Sequence, residues 1–123
     1  MVERIEEFTR NDKNFMYVDL SKLKKNADFI RIVDAVKQLI VKYPEKSVYT
    51  IINIENISFD WETREIGGDV LKHNNPYVKY GSIIGVDGIK KFLITAVFMY
   101  SDRNNMRVCD SREQAIDWLL QQD

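Results

Sequence analysis

The chain has 123 residues, 45% of them hydrophobic, which is the size of one domain able to bury a core; its single cysteine, Cys109, excludes an intramolecular disulfide. Eighteen basic residues against nineteen acidic ones leave a formal net charge of −1 with both signs interspersed, which argues against nucleic-acid or membrane-surface binding driven by charge. The opening VERIEEFTR has no apolar signal core and no apolar run approaches the ~20 residues that span a bilayer, so a soluble, cytoplasmic single domain over 1–123 without membrane insertion is expected.

In chain order, Val2 to Thr9 alternates loosely, Asn11, Asp12, Lys13 and Asn14 make a polar turn, and Phe15 to Leu20 follows, the pattern of a β-hairpin. From Asn26, apolar residues at 29, 30, 33, 36, 40 and 43 keep helical spacing up to Pro44, with Asp28 early and Lys37 and Lys42 late, as the helix dipole favours. Ser47 to Ile54 is β-branched and almost free of charge, which predicts a central strand covered on both faces. A second helix is predicted from near Asp60 to Lys72, weakened by Gly67 and Gly68 at roughly 1 kcal/mol each relative to Ala and so a candidate for a bend. Pro76 ends it, Tyr77 to Val86 reads as a buried strand, and Gly85 and Gly88 bracket Asp87, placed to cap a strongly apolar helix from Asp87 to about Ser101. Met106 to Cys109 is a short strand, and Asp110 or Ser111 caps a last helix with an apolar face at Ile116, Trp118, Leu119 and Leu120.

This order predicts an α/β fold: four to five mostly parallel strands joined by right-handed crossovers, an N-terminal antiparallel hairpin strand at one edge, and about four helices. YVDLSKLK, then SVYTIINIENISF, then KHNNPYVKYGSIIGVDGIKKFL and finally RVCDSREQAIDWL resemble the STAS-like family of small bacterial proteins, related to sulfate-transporter and anti-sigma-factor-antagonist domains. The resemblance runs from about Phe15 to Leu120, and its most specific part is the N-P-Y-V-K strand with the following G-V-x-G-I-K turn. It implies the same sheet and a regulatory, protein-binding role rather than catalysis, in a branch of which many members have no assigned function.

The best-known members of that family are switched by phosphorylation of a Ser after an Asp at the start of the helix that follows the central strand. Here that region reads NIENISFDWETREI, and no Ser follows Asp60. Thr63 could instead accept a phosphate, with Ser58 a weaker alternative, or Glu62 could hold a permanent charge at the helix N-terminus; the competing reading of Asp60, Trp61, Glu62 and Thr63 is plain helix capping. Glu55, Asn56, Ser58, Asp60, Trp61, Glu62 and Thr63 therefore form the candidate partner-binding loop. Asp19, Ser21, Asp87 and Gly88 would share the carboxyl rim of the sheet, where α/β folds gather ligands, with turn and cap formation as the simpler account.

The lone His73 has no second ligand at metal spacing and reads as a helix-end residue bonding the last carbonyls, and the turn at Gly85 to Ile89 lacks the glycine pattern of a phosphate loop. No metal, cofactor or nucleic-acid partner is expected, and an enzyme ranks third among the functions considered. The alternative to a protein-binding module is a small-molecule or lipid binder with a pocket between the sheet and the helix at 89–101, lined by Phe92, Val97, Phe98 and Met99; a second copy of the chain is a further candidate partner. A closed core with Trp61 and Glu62 exposed would favour the first reading, and a cavity near Phe98 the second.

Overall fold

The computed structural model describes residues 4–58, 60–88, 90–92, 94, 96 and 105–122. The elements are β1 (Ile5–Arg10), β2 (Lys13–Asp19), α1 (Asn26–Ile40), β3 (Val48–Asn53), α2 (Trp61–Asn74), β4 (Val78–Ile84), a helix α3 whose described residues fall at 88, 90–92, 94 and 96, β5 (Met106–Val108) and α4 (Arg112–Leu120). The expected α/β architecture is observed: one sheet in the order β1-β2-β3-β4-β5, with β1 antiparallel at an edge and the other four strands parallel.

Strand order equals chain order, so each right-handed crossover steps the same way and leaves its helix on the same face of the sheet. Accordingly Met16, Val18, Val48, Val78 and Ile83 of the sheet share one core with Phe29, Ile32, Val33, Val36 and Ile40 of α1, Val70 of α2 and Ile94 of α3. The opposite face is left to α4, whose Ala115, Ile116 and Leu119 pack with Phe15, Tyr49, Ile51, Ile84 and Cys109 in a second cluster. Strand alternation selects which residues meet there: Phe8 pairs with Phe15, Phe15 with Tyr49 and Tyr49 with Tyr80, giving ring stacks of 5.1, 5.8 and 6.4 Å across four strands. Trp118 of α4 meets Tyr80 edge-on at 6.0 Å. Cations lie over the row: Arg10 and Arg112 on Phe8, Lys13 on Tyr49 and Arg107 on Trp118. A row of rings and their cations thus supplements the nine-residue helix α4 on this side.

Ser82, on β4, is fully buried, and its hydroxyl finds no hydrogen-bond partner among the described residues. Ser82→Ala is expected to leave stability unchanged or raise it by about 1 kcal/mol, because it removes an unsatisfied polar group and almost no volume. Urea denaturation checks this; a loss of about 1 kcal/mol or more would mean that the hydroxyl is bonded after all.

Several boundaries differ from expectation. The hairpin turn is two residues, not four: Asn11 and Asp12 both have positive φ (54° and 64°), a type I′ geometry matching the strand twist, so Lys13 and Asn14 join the ladder opposite Arg10 and Thr9. Helix α1 ends at Ile40, before Tyr43, which still packs on the first core and donates its hydroxyl to Glu7 at 2.6 Å. Burial, then that bond and the Glu7 charge, push the Tyr43 phenol up to about 12. Gly67 and Gly68 lie inside α2 without ending it; the helix runs on to Asn74, carried by the buried Val70 and Leu71. Ser111 is the cap of α4, accepting from Gln114 N while the Gln114 side chain accepts from Asp110 N, a variant of the capping box.

Candidate functional site

The carboxyl ends of β2, β3 and β4 carry the candidate loop, and main-chain bonds continue past the sheet to hold it. Leu20 N donates to Asn53 O and Lys22 N to Glu55 O, both at 2.8 Å, Ile54 N to Ile84 O at 3.0 Å and Ser58 N to Leu23 O at 2.9 Å. The Asn53 side chain accepts from Glu55 N at 3.0 Å and donates to the Tyr17 hydroxyl at 3.1 Å. Asn56 adopts positive φ (56°), which Asn tolerates, and its carbonyl accepts from Lys24 Nζ at 2.6 Å. Gly85, at φ 80°, brings the β4–α3 turn against this loop: a Cβ there would lie 2.6 Å from Glu55 N.

Asp60 caps α2, its Oδ1 accepting from Thr63 N at 2.9 Å. Asn26, the first residue of α1, donates to Glu62 Oε1 at 2.7 Å and to Asp60 Oδ2 at 3.2 Å, tying the starts of two helices together. The Thr63 amide, then the Asn26 amide, hold the Asp60 carboxyl below its ordinary 3.8. A depressed carboxyl stabilises the fold above its unfolded pKa, and that contribution is lost as pH falls through the lower folded value. Asp60→Ala should therefore lower Tm at neutral pH, and its deficit relative to wild type should shrink only below the ordinary carboxylate range. Thermal melts from pH 7 down to about 2 check this; a deficit independent of pH would assign the effect to helix propensity instead.

Of the candidate residues, Glu55, Asn56, Asp60, Trp61 and Glu62 are exposed and Ser58 is half-buried. Trp61 stands 67% exposed, with the Arg64 guanidinium 4.9 Å over its ring. Thr63 does not belong with them. It is 2% exposed, and its hydroxyl donates to the Asp60 carbonyl at 3.0 Å, so as folded it caps and packs rather than presenting a hydroxyl for modification.

Under α1, α2 and the described part of α3 lies a cleft of about 60 Å³, lined by Leu20, Phe29, Ile54, Val70, Ile83 and Ile94 among others. That volume is below the ~150 Å³ at which a dry cavity takes a benzene ring. Phe92 does not line it: the side chain is 83% exposed, and Ile94 is the α3 residue that turns in. Val97, Phe98 and Met99 lie outside the described residues. His73 is exposed and bonds the Asn74 side chain through Nδ1 at 2.8 Å, not the last carbonyls. Asp87 caps α3 by accepting from Lys90 N at 2.9 Å, and Asp19 accepts from Ser21 N at 2.9 Å while its carbonyl accepts from Arg4 at 3.2 Å, so both serve turns. Among the described residues no group of three metal-ligating side chains occurs, and no helix is long and apolar enough to cross a membrane.

Three further residues contribute to the site, two of them without a mark in the sequence. Asn26 and Lys24 act on residues 32 to 36 positions away, and no local pattern marks them. Arg64 was findable, since it stands three residues after Trp61 on one helix face. In comparison with known proteins, no family model matches the chain and no curated protein matches it.

Proposed function

We propose that this chain is a non-catalytic module that binds another protein through the exposed surface at the start of α2, built from Glu55, Asn56, Asp60, Trp61 and Glu62, with Asn26 and Arg64 holding it in place. The observation that carries this reading is Trp61: a large aromatic two-thirds exposed to solvent, on the first turn of a helix that follows residues 54–58, which main-chain bonds hold to the sheet and to Leu23. Tryptophan and arginine dominate binding hot spots, and a surface ordered before binding loses little entropy on association. The cleft formed by the described residues beneath α2, about 60 Å³, is smaller than a lipid chain requires. The resemblance to STAS-like regulators supports the same loop as the contact surface. In place of a phosphorylatable Ser, Asp60 and Glu62 supply carboxylates at the helix N-terminus, a charge that does not depend on a kinase. The setting proposed is cytoplasmic.

The test is affinity capture from the native cell with wild type, Trp61→Ala and Val41→Ala, the last a control at an exposed apolar residue on the far end of α1. Surface truncation at Trp61 should change stability by no more than about 0.5 kcal/mol. A protein enriched by wild type and Val41→Ala but at least about tenfold depleted with Trp61→Ala is the expected result. Equal recovery by all three would remove Trp61 from any interface and the proposal with it.

A further inference from the structure

We propose a second site at the opposite, amino-terminal end of the sheet: a cleft of about 420 Å³ lined by Lys46, Asn75, Lys79, Tyr80 and Asn105 that takes a small organic phosphate, its anionic group on the two lysines and its flat portion against Tyr80.

Three local irregularities build this one cleft. First, β3 and β4 slip register: Val48 faces Val78 but Tyr49 faces Tyr80, so Lys79 has no partner across the ladder. In a regular strand residues 79 and 80 would point to opposite faces; the bulge is what lets both line the same cleft. Second, the Asn105 amide donates to the carbonyls of both Val78, at 3.3 Å, and Lys79, at 2.9 Å, clamping the bulge from the start of β5. Third, Lys46 sits at φ 54°, a left-handed conformation that a lysine adopts at a cost, held by its N–H on Pro76 O at 2.9 Å and its ammonium on Asn75 O at 3.0 Å. Broken local rules concentrated at one place mark functional geometry more often than chance packing does.

The chemistry of the lining decides the ligand class. Among the described residues no carboxylate lines the cleft and neither Lys46 nor Lys79 forms an ion pair, so the described lining presents two ammonium groups and no negative charge. Ammonium groups serve phosphate as point charges without demanding bidentate geometry. Tyr80 is half-buried in the ring row, Tyr49 and Trp118 packed against it, so its ring is a fixed wall for a planar group. The volume is in the range of small-ligand sites.

Backbone amide NMR of the full chain, titrated with phenyl phosphate, inorganic phosphate and sodium sulfate at matched ionic strength, tests it. Saturable shifts at Lys46, Lys79, Tyr80 and Asn105 with phenyl phosphate are expected, at Kd of about 1 mM or tighter and about tenfold weaker for inorganic phosphate. Lys79→Gln should weaken phenyl phosphate about tenfold with Tm unchanged, and Tyr80→Leu should abolish the preference for the ring. Shifts that do not saturate, that sulfate reproduces, or that persist unchanged in Lys79→Gln would overturn the assignment. Because none of these residues belongs to the Trp61 surface, failure here leaves the protein-binding proposal standing, and the reverse holds too.

Discussion

Gly85→Ala should destabilise the protein by about 3 kcal/mol and displace the loop that carries Glu55. The glycine has φ 80°, which costs a residue with a Cβ roughly 1–2 kcal/mol, and the added carbon would lie 2.6 Å from Glu55 N, 2.8 Å from Glu55 Cα and 2.9 Å from Asn53 Oδ1. Two of those atoms are backbone, so relief requires moving the chain itself and not a flexible side-chain end; overpacking of this kind adds roughly 1–3 kcal/mol. Gly88→Ala three residues later provides the control, because a Cβ there meets nothing within 4 Å and the residue needs no positive φ. Denaturant midpoints of the two variants, with hydrogen exchange at the amides of Glu55 and Ile54, decide the matter. A Gly85→Ala loss below about 1 kcal/mol would show that the two loops move independently. The same variant should lose partner binding beyond what its stability explains, since the Asp60 cap and Trp61 hang from the displaced segment.

The second large effect is expected at Phe15. Its ring is 1% exposed, stacked between Phe8 at 5.1 Å and Tyr49 at 5.8 Å. Phe15→Ala should cost about 3–5 kcal/mol, a large share of the roughly 5–15 kcal/mol by which a domain of this kind is stable. Neighbours cannot close the gap easily, because Phe8 and Tyr49 are fixed by register on either side and, among the described residues, α4 is the only helix above. Phe8→Ala, at the half-exposed end of the row, should cost less than half as much. A double-mutant cycle between Phe15 and Tyr49 should return a coupling of about 0.5–1.5 kcal/mol beyond area burial. Urea denaturation followed by near-ultraviolet circular dichroism reads both, and near-equal losses at Phe8 and Phe15 would contradict a row whose centre is more strongly packed than its end.

The elements with strong period were legible. Residues 29 to 40 keep a helical stripe, and Tyr77 to Val86 reads as a buried strand, because each buries one regular surface. What sequence hides is pairing. Asn11 to Asn14 is four polar residues, and only the ladder reveals that two of them turn while two pair. The SVYTIINI strand carries no charge and has large apolar side chains on both alternations, so nothing in it tells which side chains look toward α1 and which toward α4; the ring row emerges only when three registers align. At the rim, Asp60, Trp61 and Glu62 were readable as the opening of a helix, whereas the burial of Thr63 follows from which way the helix lies on the sheet. The α3 segment is apolar on several sides, so its spacing could not separate the outward Phe92 from the inward Ile94. Lys46, Lys79 and Asn105 stand some thirty positions apart and meet only through a slipped register.

One consequence of α4 concerns synthesis of the chain. Strands and helices up to α3 emerge from the ribosome in an order that lets each crossover helix settle on sheet already made, but the other face waits for residues 112–120. Until then Phe15, Tyr49 and Ile51 form a bare apolar strip on a nascent sheet, the kind of surface that chaperones hold and that sticks to neighbouring copies. A chain cut before Arg112 should therefore bind a hydrophobic dye strongly where the full chain does not, and adding back the nine-residue helix should quench that binding.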